Sequence, residues 1–404
     1  VQAYLINEEI SKVKLKLNDS EALLLDIIKK NLFDTPIDVS AYNREEIDWG
    51  GVFREACRHN VLPIVLHNIN DLIAEFNIPE EKVEKWRITT YNQIAFNEKL
   101  MFYQNRVVEI LDKAHIPYAV LKGSSLSACY PRPDLRILQD IDLLLKPSDF
   151  GQALSILCEH GFNRRIIGKH FHEVLEKDDI VVEPHYSVSY IDKSNTGGRI
   201  RDFFEDALER TERETVGAYS FEVLSVAHQA VALLLHMERH IAENKLDLRR
   251  ICDWAMFVYR KTTNEIWVSQ IEPELIRCGL NKFAMLITKI CVIFLGLSSE
   301  HCSWAEGADS NLCKKLFIII YKNYSISSKQ PSFIVLCALR FRREFPRLSK
   351  IPILIPLGCI FIQLRYLYEM STGKRAKISV LKTVHEAVQI SHIFSKLKLY
   401  KAGY

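Results

Sequence analysis

The stretch LKGSSLSACYPRPDLRILQDIDLLL, residues 121–145, decides the fold. Its last third is an apolar run interrupted by two acids, Asp140 and Asp142. Side chains alternate along a strand, so the two aspartates share one face while Ile141 and Leu143 take the other. Their α-carbons are then about 6.5 Å apart, which lets both carboxylates reach one divalent cation or a close pair. Without a cation, like charges so placed repel and one of them tends to hold a proton. Acids in a buried strand need a compensating charge, and a bound metal ion is one way to supply it.

The segments on either side complete a compact unit. IPYAVL, residues 116–121, is short and β-rich and reads as a buried strand. Gly123 and Ser124 follow where that strand turns into a helix, and the exposed N–H groups of a helix start, with the Ser hydroxyl, form a phosphate cradle. Lys122 is either a surface lysine before a turn or a contact to a phosphate or a neighbouring carboxylate. Beyond the aspartates, PSDFGQALSILCEHGF predicts a helix with Ser148 as its N-cap and Gly161 as its stop. KHFHEVLEK and IVVEPHYSV then alternate around Asp178 and Asp179, a hairpin signature. With a two-residue turn there, Val174 faces Glu183 and His172 faces His185, and Glu183, His185, His172 and His170 share a face. Glu183 is the third carboxylate that phosphoryl transfer commonly adds, as a metal ligand or as the group that takes the proton of an attacking hydroxyl.

The outer regions read as helical. In NDSEALLLDIIKKNLF, Asn18 and Glu21 form a capping box ahead of apolar residues at helical spacing, and Thr35-Pro36 ends the helix. DWGGVFREACRHN is a second helix, Pro63 starts another, and a long one begins at Pro79. After a polar connector near 191–202, helices are expected to dominate from about Phe221. His236 and His240 lie one helical turn apart, a spacing that can bind zinc, although packing within a bundle is the commoner fate of such a pair. Asp247 and Asp253 are expected to cap or pair within this flank. The fold class expected is α+β and mainly helical: a small mixed-sheet core over 116–190, with helical regions over 1–115 and 191–404.

Composition sets the compartment. The chain has 404 residues, 48% of them hydrophobic and 25% charged, which is ordinary for a globular protein. Its ten cysteines are scattered without a CxxC, which argues against a zinc knuckle or a disulfide framework and for a reducing cytoplasm. No signal-peptide apolar region or transmembrane segment is expected, and IPILIPLGCIFI, residues 351–362, is too short and proline-broken to span a bilayer. Charge is uneven: residues 331–404 hold thirteen Lys or Arg against three acids, a net +10, leaving −7 for the rest of a chain whose total is +3. Such a basic region is a solvated helical face or a contact to an anionic surface.

Taken together, these elements resemble the nucleotidyltransferase superfamily typified by DNA polymerase β, and more narrowly a bacterial family of uncharacterised nucleotidyltransferases. The resemblance is carried by Leu121-Lys122-Gly123, Tyr130-Pro131, Arg136, the run from Asp140 to Leu144, Gly161-Phe162 and Glu183-Pro184-His185, and it is specific over about 115–190. It implies a nucleoside triphosphate substrate, Mg2+ or Mn2+, and transfer of a nucleoside monophosphate to an acceptor, whether a sugar, a lipid-linked intermediate or a peptide. On this reading Asp140, Asp142 and Glu183 are catalytic and hold the metal, while Lys122, Gly123, Ser124, Arg136 and His185 bind the nucleotide. Arg136 has a competing use in a pair with Asp134. Two departures from the superfamily pattern stand out: a long gap from Ser124 to Asp140, and Pro184 inside the third strand. Two other classes compete, a non-catalytic nucleotide-binding or regulatory protein that keeps the fold, and a sugar-nucleotide glycosyltransferase with DxD as its metal motif.

Overall fold

The structure, a computed structural model, describes residues 17–165, 171–189, 195–242 and 245–323, with the isolated positions Leu357 and Ile360. The basic region after 331, nearly all of the 351–362 run and His170 therefore lie outside the described residues.

The helix starts follow the local chemistry. Asn18 accepts from the Glu21 N–H at 2.9 Å and Glu21 returns a bond to the Asn18 N–H, so the capping box opens α1 (Asp19–Phe33). Three helices follow, α2 (Trp49–Arg58), α3 (Leu62–Leu66) with Pro63 in its first turn, and α4 (Ile69–Phe76). The long helix α5 (Glu80–Lys113) ends at His115, whose φ of 54° turns the chain into the sheet.

The sheet begins with β1 (Tyr118–Val120), the short helix α6 (Ser124–Ser127) and β2 (Ile141–Leu145). Next come α7 (Phe150–Glu159), β3 (Asn163–Arg165), β4 (Val174–Lys177) and β5 (Ile180–His185). Asp149, not Ser148, takes the N-cap position of α7, without a side-chain capping bond, and the Ser148 hydroxyl donates to its carboxylate at 3.0 Å. Asp178 and Asp179 both have positive φ, 51° and 66°, as a two-residue hairpin turn of matching twist requires. The expected register follows: Leu175 pairs with Val182, Lys177 with Ile180, and His172 bridges His185.

Beyond α8 (Asn195–Phe203) lies a second hairpin, β6 (Glu212–Val216) and β7 (Tyr219–Val223), turned at Gly217. It joins the same sheet, in the order β3-β4-β5-β2-β1-β7-β6, with β7 parallel to β1. The stretch between the polar connector and the downstream helices thus supplies two strands that the helical expectation missed. Their signal was present in the sequence, since Tyr219, Phe221 and Val223 alternate after a glycine turn.

The sheet has two differently used faces. Val120, Ile141, Leu143, Leu145 and Val182 pack on Val107 and Leu111 of α5 and Ala153 and Leu157 of α7. Ala119, Leu121 and Leu144 on the opposite face meet Ala232 of α9 (Val226–Ala242). The helices on either side of the sheet in sequence share one core: α1 to α4 pack with α10 (Leu248–Lys261), α11 (Glu272–Cys278), α12 (Asn281–Leu295) and α13 (Ser310–Asn323). A mixed sheet with flanking helices is the α+β arrangement expected from the sequence.

Candidate functional site

Two parallel strands set the site. β2 and β5 pair so that Asp142 stands beside Glu183 and Leu144 beside His185, which puts all four on the face that α9 covers. β5 runs unbroken through Pro184, whose carbonyl accepts the Glu173 N–H at 3.0 Å. Asp140 lies one residue ahead of β2 and is half-buried. One ligand oxygen each from Asp140, Asp142 and Glu183 lie within 4.8 Å of one another.

Asp142 is fully buried and has two partners. Lys122 Nζ lies 2.6 Å from Oδ2, and His185 Nε2–H donates to Oδ1 at 2.9 Å. Burial alone would push the carboxyl up, but the Lys122 ammonium and the His185 hydrogen bond outweigh it and hold Asp142 well below the usual carboxylate range. The carboxylate is therefore charged and has a cation against it. Of the alternatives the sequence leaves for Lys122, the structure shows the contact to a neighbouring carboxylate. The donor set, three carboxylates of which one is buried, suits a hard divalent cation such as Mg2+ or Mn2+.

The approach to Asp140 is clamped from α5. Asn97 donates to the Arg136 carbonyl at 2.9 Å and accepts from the Leu138 N–H at 2.9 Å. Arg249 on α10 adds bonds to the Ile137 carbonyl and to Gln139 Oε1. Sequence reasoning did not single out Asn97, although a signal existed. Val83, Thr90, Asn97, Gln104 and Leu111 recur every seven residues, and all are buried. A polar residue on a buried helical stripe needs a partner, and here the partners are the loop and the turn.

The nucleotide-binding residues expected from the sequence are placed unequally. Gly123 has φ 71° and ψ −112°, a conformation that a side chain would strain, and a Cβ there would sit 3.6 Å from the Asp140 carbonyl. The Ser124 hydroxyl donates to Gln104 Oε1 at 2.5 Å, and Ser124 is 1% exposed. α6 is only four residues long, and the Gly123 carbonyl at its head accepts the Leu126 N–H. Arg136 is buried and pairs with Asp253 of α10, Nε to Oδ1 at 3.0 Å and Nη2 to Oδ2 at 2.8 Å. The competing pair with Asp134 is not formed, and the exposed Arg132 holds that acid instead. Tyr130 also donates to Asp253 at 2.8 Å, so Tyr130 and Arg136 both end on one buried acid of the helical flank. Asp253 thus pairs outside its own flank, whereas Asp247 caps α10 as expected by accepting the Arg250 N–H.

A cationic and histidine-rich wall borders the face. His172 Nε2 lies 3.4 Å and His185 Nε2 3.8 Å from Glu183 Oε2, and Phe171 packs on both imidazoles. The Arg239 guanidinium lies over the Phe171 ring. His236 and His240 stack edge to face at 4.3 Å, and burial, reinforced by Lys122, Arg239 and Arg250 nearby, drives both well below the ordinary imidazole range. Among the described residues they join no cluster of metal donors.

A family model described as an uncharacterised nucleotidyltransferase matches residues 45–296, more than half of the chain, and the protein belongs to that family. The match extends well past the 115–190 segment that carries the motifs, from α2 through α12. No curated protein and no solved structure matches the chain. Membership supports nucleotidyl transfer as the general chemistry. No helix among the described residues is long and apolar enough to cross a membrane.

Proposed function

We propose that this chain is a metal-dependent nucleotidyltransferase of the polymerase β-like kind, moving a nucleoside monophosphate from a triphosphate to an acceptor hydroxyl. The observation that carries this is the convergence of Asp140, Asp142 and Glu183, with ligand oxygens within 4.8 Å on the face shared by β2 and β5. Asp140 and Asp142 hold Mg2+ or Mn2+, and Glu183 completes that site or takes the acceptor proton. When bound, the ion neutralises phosphate charge and clamps the triphosphate for in-line displacement. Lys122, paired with Asp142, would be free to contact the phosphates if a cation took over that carboxylate. His185 orients Asp142 through its Nε2–H. Gly123 lets the triphosphate approach the backbone beside Asp140. Ser124 and Arg136, engaged by Gln104 and Asp253, fix the two ends of the loop that delivers Asp140.

We assign the 116–190 segment as the catalytic core, completed at its edge by the β6–β7 hairpin, with the helical body on the acceptor side. The acceptor is a sugar, a lipid-linked intermediate or a peptide. The eight described cysteines are all free, which supports a reducing, cytoplasmic setting.

A thermal-shift screen against ATP, GTP, CTP and UTP, each with and without Mg2+, tests this. A ligand at a hundredfold excess over its Kd stabilises by about 2.7 kcal/mol. Stabilisation that requires both a triphosphate and Mg2+ is expected, and its absence with every nucleotide would overturn the assignment.

A further inference from the structure

Glu183 also faces two imidazole donors on its own hairpin. His172 and His185 present their Nε2 atoms to Glu183 Oε2 at 3.4 and 3.8 Å. One ligand atom from each of the three residues lies within 4.8 Å of the others, and both imidazoles are almost fully buried. These separations exceed the roughly 2.7–3.2 Å of a hydrogen bond. They are close to the about 3.3 Å that separates neighbouring donors around a tetrahedral ion with bonds near 2.0–2.1 Å. The three groups thus converge at ion-pair distances, with His185 Nε2 at present hydrogen-bonded to Asp142.

We infer that His172, His185 and Glu183 form a second cation site, separate from the oxygen site at Asp140 and Asp142 but sharing Glu183 with it, for a divalent transition ion of the zinc or cobalt kind. Two imidazoles and one carboxylate match the preference of such ions, whereas Mg2+ favours oxygen donors and retained water. The hairpin turn builds the pair, because the register set at Asp178 and Asp179 places His172 directly opposite His185. Phe171 lies against both rings, 4.6 Å from His172 and 5.7 Å from His185 between centroids, and supplies an apolar wall. To take the ion, His185 Nε2 gives up its hydrogen bond to Asp142, and the proton it carries moves to Nδ1, which has no hydrogen-bond partner among the described residues. Asp142 Oδ1 is then released toward the oxygen site.

The probe is Co2+ alone, titrated into the full-length protein in a large excess of Mg2+ and followed by visible absorption and by bound metal per chain. One Co2+ per chain with a tetrahedral absorption band is expected in wild type and in Asp140→Asn. In His172→Gln the affinity should fall by well over about a hundredfold, beyond the roughly 10–100-fold that loss of an outer-shell partner costs. Equal binding by His172→Gln, displacement by Mg2+, or loss in Asp140→Asn but not in His172→Gln would overturn the site. A reading that needs no variant is the proton spectrum of Co2+-loaded wild type, where two hyperfine-shifted imidazole N–H signals are expected and none would refute histidine ligation. Triphosphate binding measured on the same samples reports the oxygen site separately, so failure there leaves the cobalt result standing.

Discussion

Lys122 Nζ sits 2.6 Å from Asp142 Oδ2, so the innermost carboxylate of the site already has a cation against it, from the residue that follows β1 by two positions. Removing that cation leaves a fully buried negative charge with only His185 beside it. Lys122→Met should destabilise the metal-free protein by about 3 kcal/mol, the scale for breaking a buried pair. Mg2+ should restore more stability to the variant than it adds to wild type. Chemical denaturation of both proteins with and without Mg2+ measures this, and an equal Mg2+ effect would mean that the ammonium is no stand-in.

Asp140 is the clean position for testing the oxygen site, because it is half-buried and lies outside the ladder. Asp140→Asn should leave the unliganded protein within about 0.5 kcal/mol of wild type, as for surface substitutions away from special features. It should abolish Mg2+-dependent triphosphate binding in calorimetry. Undiminished binding would remove Asp140 from the proposed metal ligands.

The Arg136–Asp253 pair ties the loop ahead of β2 to α10 in a buried setting. Asp253→Ala strands the arginine and should cost about 3–5 kcal/mol. The double replacement Arg136→Leu with Asp253→Leu should recover most of that loss, since apolar substitutes often match a buried pair. Urea unfolding of the single and double variants gives the coupling, and simple additivity would show that the pair is not a structural unit.

Acid should destabilise this protein before its carboxylates titrate. Burial holds His236 and His240 well below their ordinary range, pushes His59 down to about 3 and lowers His228 as well. All four bind protons less readily folded than unfolded, so they take up protons on unfolding below about pH 6.5. Their stabilisation is full above that pH and is lost as pH falls, with a limiting slope of about 1.4 kcal/mol per pH unit for each. Asp142 acts in the same direction lower down, its contribution fully present above about pH 4 and lost as pH falls through its depressed folded value. Unfolding free energies between pH 7 and 5 should therefore decline with net proton uptake, and a flat profile would contradict the buried-neutral assignment.

What the sequence by itself determined is local. The capping box at Asn18 and Glu21, the strand carrying Asp140 and Asp142, and the hairpin register that sets His172 against His185 all follow from periodicity and turn chemistry within about fifteen residues. Those rules say which face a side chain takes, so Glu183 and His185 could be placed together without knowing what lay opposite. The tertiary structure alone decided which strands became neighbours. The parallel register of Asp142 with Glu183 joins residues 41 positions apart, with α7 and the β3–β4 pair between them. The pairing of Arg136 with Asp253 spans 117 positions, and the β6–β7 hairpin closes on β1 across about a hundred. Such pairings rest on how whole faces bury one another, an energy spread over distant segments that no short window contains. That is also why Asn97 and Gln104 look like misplaced polar residues on a helix until the loop and the turn they hold are packed against them.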